Sequence, residues 1–439
     1  MPNCFSCRFA VSIVLTLAVA AGVQSREPAA PYGERIAVSE ADWPEARPAP
    51  ALVVFPDLAG RGPALVRDAE ARDQAAQWEA RVREMEASGG PYADGLDEPL
   101  ADLARQQVRE GRYAEALSLY RRSLHVLRIN AGLSSPAQMV VVRAMLQLQR
   151  AIGGAEALDN LYGYYYRLGW LNADASDDHQ RWRVALEFLR WQRERLRRAI
   201  TRDPDRALLA LHGLNERLLD QAAADDAAAE VRVELVRSQL LNLYLIRDRV
   251  TPKTRDALSV LAPPRSRRPD MLPEDIYRDR LLNVQRSAQR EGSALLTSVI
   301  AYLESPVERA GIYLALGDWE QWNGRLRRAE DAWRRAFELL NDAGEESLIA
   351  QWFGAPVELP DNGVFWQRED ASETSLVRMT FDVNARGRAR RVDASVLSGR
   401  DSASIVAMRE LRSVRFRPRF DGGLARSADR VVREYRVYH

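Results

Sequence analysis

Cysteine and lysine are nearly absent from this sequence, and histidine is scarce. The only cysteines are Cys4 and Cys7, so the chain beyond them can form no disulfide framework. Lys253 is the only lysine, and it lies outside any glycine-rich phosphate loop, a motif that ends in Gly-Lys. None of the four histidines lies in H-E-x-x-H or in another spacing typical of zinc ligands.

Sequence fingerprints of catalysis are absent as well. The chain has neither the G-x-S-x-G pattern of serine hydrolases nor the G-x-G-x-x-G pattern of dinucleotide-binding folds. We therefore predict a protein that is not an enzyme, with no catalytic residue, no cofactor, no metal and no small-molecule substrate. A deep pocket that placed His125 or His179 beside a buried carboxylate would instead indicate an enzyme.

Long hydrophobic runs are missing except at the N-terminus. Arg8 precedes an uncharged run at residues 9–22, and residues 23–25 fit a signal-peptidase site. The run is about 14 residues long, whereas a membrane-spanning helix needs roughly 20. We therefore predict a signal peptide at 1–25, cleaved near Ser25, and a periplasmic protein. The alternative is a retained segment that anchors the chain in the inner membrane, facing the periplasm.

The rest of the chain divides into four segments. Residues 26–62 are rich in proline and alanine and predict an extended arm. Residues 63–343 show helical periodicity, interrupted by a proline-rich stretch at 250–272. Residues 344–375 predict a linker, and residues 376–439 predict a separate C-terminal domain.

Two stretches of the helical segment share a 34-residue pattern. In the later one, Ser305 and Glu308 form a capping box with Pro306 at the first helical position. Large and small residues then follow at spacings that suit two closely packed antiparallel helices: Tyr313, Leu316, Gly317, Gly324, Ala329, Trp333 and Ala336. The earlier stretch begins at Asp97 and repeats the pattern with Leu103, Ala104, Gly111, Ala116, Tyr120 and Ser123. Both stretches resemble tetratricopeptide repeats (TPR).

Aromatic residues cluster within the helical segment, at Tyr162, Tyr164, Tyr165, Tyr166 and Trp170. If the repeats present these rings to solvent, they line a concave groove that accepts a peptide. If the rings face inward, they form the core between repeats. The sequence leaves both interpretations open.

Near residue 376 the hydrophobic period changes from 3.6 to 2. Val377, Met379, Phe381 and Val383 alternate with polar residues, which predicts a half-buried strand. A hairpin turn at 384–387, a strand at 392–396, a helix from residue 401 that ends before Pro418, and a strand at 431–438 follow. The predicted fold class is mostly α: a TPR-like α-helical repeat array followed by a small α+β domain of order ββαβ.

Three motifs of this segment resemble the C-terminal domain of the TonB family of periplasmic energy transducers. They are the strand and turn at 381–387, the helix exit Arg415-Phe416-Arg417-Pro418, and Asp421-Gly422-Gly423 before a strand that contains Tyr435. The resemblance covers about 64 of the 439 residues. This chain differs from the transducers in having repeats where they carry a Pro-rich spacer, and in having no histidine in its apolar N-terminal run.

The resemblance implies that a short peptide of an outer-membrane transporter adds a strand to the edge of the sheet. Residues 357–370, or a second copy of the domain, would prevent this by covering the edge. The segment 376–439 carries 15 arginines against 7 acidic residues, which suits either an acidic partner or docking on the acidic repeats. The predicted partner-binding residues are Arg388, Arg390, Arg391, Arg415, Arg417, Arg419, Val431, Arg433 and Tyr435.

Together these features predict a periplasmic protein–protein interaction protein of the cell envelope. The repeats would act as a scaffold, and the C-terminal domain would bind another envelope protein by strand addition, at the outer membrane. The alternative is an anchored TonB-type energy-transducer component of transmembrane transport. Nucleic acid is not an expected partner, and a membrane is one only if the N-terminal segment is retained.

Overall fold

The computed structural model describes residues 36–37, 69–171, 178–197, 201–249, 273–362, 364, 366–367 and 374–438. The predicted signal peptide at 1–25, most of the arm at 26–62 and the proline-rich stretch at 250–272 lie outside the described residues. Within them, the chain is mostly helical and ends in a small sheet region. The predicted class is thus confirmed at its coarse level, a helical part followed by a C-terminal α+β part.

Twelve helices precede the C-terminal sheet region in the described part of the chain. They are α1 (Ala69–Gly89), α2 (Asp97–Arg109), α3 (Tyr113–Asn130), α4 (Gln138–Ile152), α5 (Ala155–Leu171), α6 (Asp178–Arg197), α7 (Pro204–Ala224), α8 (Ala229–Arg249), α9 (Pro273–Ile300), α10 (Pro306–Trp322), α11 (Leu326–Asp342) and α12 (Glu346–Phe353). Each helix contacts the next one along the chain, as in arrays that bury their apolar faces against neighbours.

Helix α10 begins as the capping box predicts. The side chain of Ser305 accepts a hydrogen bond from the backbone N–H of Glu308 at 3.4 Å, and Pro306 lies in the first turn. Helices α10 and α11 approach each other closely where Gly317 faces the buried ring of Trp333. A β-carbon at position 317 would lie 2.3 Å from that ring, so this approach requires glycine.

The aromatic cluster of α5 belongs to the core. Tyr162 and Tyr165 are buried, and Tyr164 and Tyr166 are partly buried in the same apolar cluster. The ring of Tyr162 stacks on that of Trp191 in α6, with the ring centroids 4.9 Å apart. These rings therefore form the core between helices, which is the second of the two interpretations that the sequence leaves open.

The C-terminal region contains helix α13 and most of the strands. Strand β1 (Ile36–Ala37) lies near the N-terminus. The elements after α12 are β2 (Val357–Leu359), β3 (Trp366–Gln367), β4 (Thr374–Val383), β5 (Ala389–Ser398), α13 (Ala403–Ser413), β6 (Arg415–Arg417), β7 (Arg419–Asp421), β8 (Leu424–Arg426) and β9 (Ala428–Tyr438). An antiparallel sheet has the order β5-β4-β9, while β2 pairs with β6, β7 with β8 and β1 with β3. The three predicted strands and the predicted helix correspond to β4, β5, β9 and α13.

The described part of the segment 344–375 is more structured than the predicted linker. It contains α12 and β2, and β2 pairs with β6 from the C-terminal region. Phe353 and Leu359 are buried in one apolar cluster with Phe420. Burial of these few side chains orders the segment, although it is too short to show a hydrophobic period.

Candidate partner-binding surface

Helix α13 covers one face of the three-stranded sheet, and the other face is open to solvent. On the covered face, Leu411 of α13 is buried against the inward side chains of β4. Successive side chains of a strand point to opposite faces. The intervening residue Arg378 therefore lies on the open face, where it forms an ion pair with Glu434 of β9 at 2.7 Å.

Strand β9 presents an outer edge that is regular over residues 431–438, whereas its first residues are irregular, with Arg430 at a φ of 53°. Its pairing with β4 runs without a shift from Thr374 opposite Tyr438 to Phe381 opposite Val431. Within the described residues, no strand pairs with the outer edge of β9. Val432 lies beside this edge on the open face and is 57% exposed. Within the described residues, an extended peptide would meet a backbone edge that no strand pairs with, and one apolar side chain.

The opposite edge, formed by β5, is irregular. Its pairing with β4 shifts register at two places, and Arg391 adopts a left-handed φ of 50°. Arg391 also forms ion pairs with Asp382 and Asp429. Register shifts and charged side chains are the usual means by which proteins protect edge strands from pairing. The edge that suits strand addition is therefore that of β9.

The segment 357–370 leaves the backbone edge of β9 uncovered in its described part. Strand β2 pairs with β6, so its backbone groups are engaged away from the three-stranded sheet. Its Glu358 contacts β9 through side chains alone, those of Arg433 and Tyr435. Residues 363, 365 and 368–370 lie outside the described residues.

The structure separates the nine predicted partner-binding residues into groups. Arg390, Arg391 and Arg419 are exposed. Arg388 and Arg415 are half-buried and form a backbone bridge, and the Arg388 guanidinium donates to the carbonyl oxygen of Ser413 at 3.4 Å. The Arg415 guanidinium donates to the carbonyl oxygen of Gln321 in α10 at 2.8 Å. Burial lowers the pKa of Arg415, and the neighbouring positive charges add to the effect.

Arg417 is buried in the junction with the helices. Its guanidinium lies 2.7 Å from a carboxylate oxygen of Asp318 in α10 and 3.4 Å from one of Asp361. The indole N–H of Trp333 donates to the other oxygen of Asp318 at 2.9 Å. Burial raises the pKa of Asp318 to about 6, an effect that the guanidinium of Arg417 opposes. Arg417 therefore docks the C-terminal region on α10, and its side chain cannot reach a partner.

Val431, Arg433 and Tyr435 all point to the covered face of the sheet. Val431 packs against the core, and Tyr435 is fully buried. The Arg433 guanidinium lies 3.0 Å from Glu358, which also accepts a hydrogen bond from the Tyr435 hydroxyl. Burial raises the pKa of Glu358, and the charge of Arg433 opposes the shift. These side chains hold β9 to β2, so a partner at this edge would contact the backbone and the outward side chains of β9 instead.

The sequence prediction therefore selected the inward residues of β9. The outward residues are the alternate set: Val432, Glu434 and Arg436. The sequence contains a signal for this choice. Tyr435 and Val437 are large apolar residues two positions apart, so the face they share with Val431 and Arg433 is the one expected to be buried. The same alternation places Val432 on the opposite face, as the exposed apolar residue of the strand.

A second concave surface lies in the helical part, between α5, α6 and α7. It is an open groove of about 800 Å³. Its charged residues are of both signs: Glu156, Asp159, Arg195, Arg202, Asp203, Arg206 and Arg217. Arg195 and Asp159 form an ion pair at 3.1 Å. Among the described residues that line the groove there is no histidine.

No protein-family model and no curated protein matches the chain. Among solved structures, the chain is similar to the crystal structure of BtubC (BKLC) from P. vanneervenii, with 15% sequence identity and a TM-score of 0.35. The alignment covers 63% of this chain and 93% of that chain. At this TM-score the similarity carries no argument about function. None of the helices within the described residues has the length and apolar character that crossing a membrane requires.

Proposed function

We propose that this protein is an exported protein–protein interaction protein of the cell envelope. In this proposal, the TPR-like helices form a scaffold that faces one partner. The TonB-like C-terminal region binds an extended peptide of a second partner, which pairs with the outer edge of β9. The observation that carries the proposal is the regular edge at residues 431–438, which no described strand pairs with.

The docking of the C-terminal region on α10 also supports the proposal. Arg417 pairs with Asp318, and the side-chain amide of Gln321 donates to the backbone oxygens of Arg386 and Phe416 at 2.9 and 3.2 Å. These contacts hold the sheet in one orientation relative to the helices. A fixed sheet edge loses less conformational entropy when it binds than a mobile one.

The sequence supports the compartment through its N-terminal residues. N-terminal sequencing of the mature protein tests this part of the proposal. A chain that begins at Arg26 supports export and cleavage. A chain that still contains residues 9–22 favours the anchored energy-transducer component instead.

Site-specific photo-crosslinking in intact cells tests the binding mode. We expect a photoreactive amino acid at Val432 to capture an envelope protein. The matched control is Ile405 on α13, which is 67% exposed in the same region but lies away from the β9 edge. Equal capture from both positions would argue against a site at β9.

Hydrogen exchange then distinguishes strand addition from binding through side chains. The captured segment is synthesised as a peptide and added to the purified mature chain. We expect slower exchange of the outward backbone amides of residues 431–438, with little change in β5. Binding without protection of these amides would contradict strand addition.

A further inference from the structure

A histidine and two glutamates meet in the helical part, away from the C-terminal sheet. They are His212 and Glu216 of α7 and Glu291 of α9. The Nε2 atom of His212 lies 3.0 Å from a carboxylate oxygen of Glu291, and its Nδ1 atom lies 3.3 Å from one of Glu216. Their ligand atoms all lie within 4.8 Å of one another. His212 is buried, Glu291 is half-buried and Glu216 is exposed.

The folded chain creates this cluster from two distant segments. His212 and Glu216 are four residues apart, which places both on the same face of α7. Glu291 follows 79 residues after His212, and the packing of α9 on α7 brings it to that face. Histidine nitrogen and carboxylate oxygen are the ligand types that Zn²⁺ and similar divalent transition-metal ions accept.

We propose that His212, Glu216 and Glu291 bind a divalent transition-metal ion of the Zn²⁺ class. Ligand atoms around a tetrahedral zinc ion are about 3.3 Å apart, given bond lengths of about 2.0–2.2 Å. One imidazole offers a single nitrogen to a given ion, so only one of the two present separations, 3.0 Å to Glu291 or 3.3 Å to Glu216, can belong to the bound state. With one ligand atom per residue the set lies within 4.8 Å, so one carboxylate must move towards the ion. Glu216 has the largest adjustment to make, and because its side chain is 54% exposed it can change rotamer freely.

Buried hydrogen bonds support the inner part of this cluster. The side-chain amide of Gln239, which is fully buried in α8, donates to Glu291 at 3.4 Å. Asn242 in turn donates to the side-chain oxygen of Gln239 at 3.0 Å and accepts from Arg193 at 3.2 Å. Such outer hydrogen bonds orient metal ligands, and their loss typically weakens metal binding 10- to 100-fold.

The site is open on the side of Glu216. An exposed third ligand leaves space for water to complete the coordination of the ion, as in zinc sites with three protein ligands. The imidazole ligand disfavours Mg²⁺ and Ca²⁺, which prefer oxygen ligands alone. A bound ion would join α7 to α9, which pack directly on each other, so metal would stabilise the middle of the helical array.

Zinc titration of the full mature chain, purified without a histidine tag and treated with chelator, tests the proposal. We expect one Zn²⁺ per chain by calorimetry and by metal analysis after dialysis. E216Q is the sharpest variant, because an exposed glutamate can be changed without loss of folding, and it should weaken binding at least 10-fold. E291Q and H212N should weaken it further.

Two matched controls identify the site. E234Q changes a half-exposed glutamate of α8 that pairs with Arg237, and H125N changes an exposed histidine of α3. Both should bind Zn²⁺ like the unmodified chain, and circular dichroism without metal should show that every variant is folded. The proposal would be overturned if the unmodified chain did not bind Zn²⁺ stoichiometrically, or if E216Q and E291Q bound it as tightly as the unmodified chain.

Discussion

The guanidinium of Arg417 lies 2.7 Å from a carboxylate oxygen of Asp318, and this buried ion pair joins the C-terminal region to helix α10. Only 2% of the Arg417 side chain and 12% of the Asp318 side chain are exposed. Trp333 of α11 adds a hydrogen bond to the same carboxylate. The sheet region and the last helices are therefore connected by charges that have little contact with water.

We expect Arg417→Met to destabilise the protein by about 3–5 kcal/mol, because it leaves the Asp318 carboxylate buried without its charge partner. Urea unfolding, followed by tryptophan fluorescence, measures the effect. The matched control is Arg419→Met, the same change at an exposed position two residues away, which should cost less than about 0.5 kcal/mol. Equal stability of the two variants would show that the ion pair does not support the junction.

We expect Asp318 to make stability depend on pH between about 4 and 7. Burial raises its pKa in the folded protein from 3.8 to about 6. The folded state therefore binds more protons than the unfolded state between these values. The contribution of this group to stability is complete below about pH 4 and decreases as pH rises through 6.

Comparison with Asp318→Asn isolates this effect, because asparagine does not titrate. From pH 5 to pH 7, the stability of the unmodified chain should fall by about 1 kcal/mol relative to that of the variant. Urea unfolding of both proteins at several pH values measures the difference. Other buried carboxyls, Glu358 included, are common to both proteins and cancel. Parallel curves would contradict the raised pKa.

We expect opposite results from two glycine-to-alanine changes inside helices. At Gly317 in α10, a β-carbon would lie 2.3 Å from the Trp333 ring, so alanine should cost about 1–3 kcal/mol. At Gly163 in α5, the nearest atom is the mobile end of Arg167 at 3.6 Å, so alanine should stabilise by up to about 1 kcal/mol. Thermal unfolding distinguishes them, and the same sign for both would contradict this account of the α10–α11 contact.

The sequence predicted those elements whose hydrophobic period is long enough to detect. The alternation at Val377 to Val383 predicts β4 in this way, and the start of α10 is predicted by a different local signal, the capping motif at Ser305. Strands β2 and β6 have three residues each and show no period, so their pairing was not predictable. Arg433 points inward because it alternates in step with Tyr435 along β9, whereas its charge alone predicts an outward side chain.

Contacts between distant segments were the least predictable part. Arg417 looks like a member of an exposed basic cluster, because nothing near it in sequence shows that Asp318 lies 99 residues earlier at bonding distance. The pairing of His212 with Glu291 has the same origin, since helix packing alone determines it. A single sequence reports local periodicity well, and it reports the docking of one element on another poorly.

The hairpin between β4 and β5 packs against α10. Gly387 in this turn has a φ of 67°, and a β-carbon there would lie 2.0 Å from the carbonyl oxygen of Phe416 and 2.5 Å from the side-chain amide of Gln321. Alanine at position 387 would therefore have to adopt an unfavourable left-handed φ, and its β-carbon would clash with the carbonyl oxygen of Phe416. We expect Gly387→Ala to cost more than about 3 kcal/mol and to separate the hairpin from the helix.

Gly422→Ala is its control, because Gly422 has a similar φ of 56° but nothing within 4 Å of a β-carbon. Alanine at position 422 should therefore lower the free energy of unfolding only through its left-handed backbone conformation, by about 1–2 kcal/mol. The difference between the two variants in urea unfolding measures the close approach of the hairpin to β6 and α10. Hydrogen exchange should in addition show faster exchange of the Phe416 amide, which donates to the Gly387 oxygen, in Gly387→Ala only. Equal costs for the two substitutions would mean that the hairpin moves away from α10 without loss, and that the junction relies on Arg417 and Asp318.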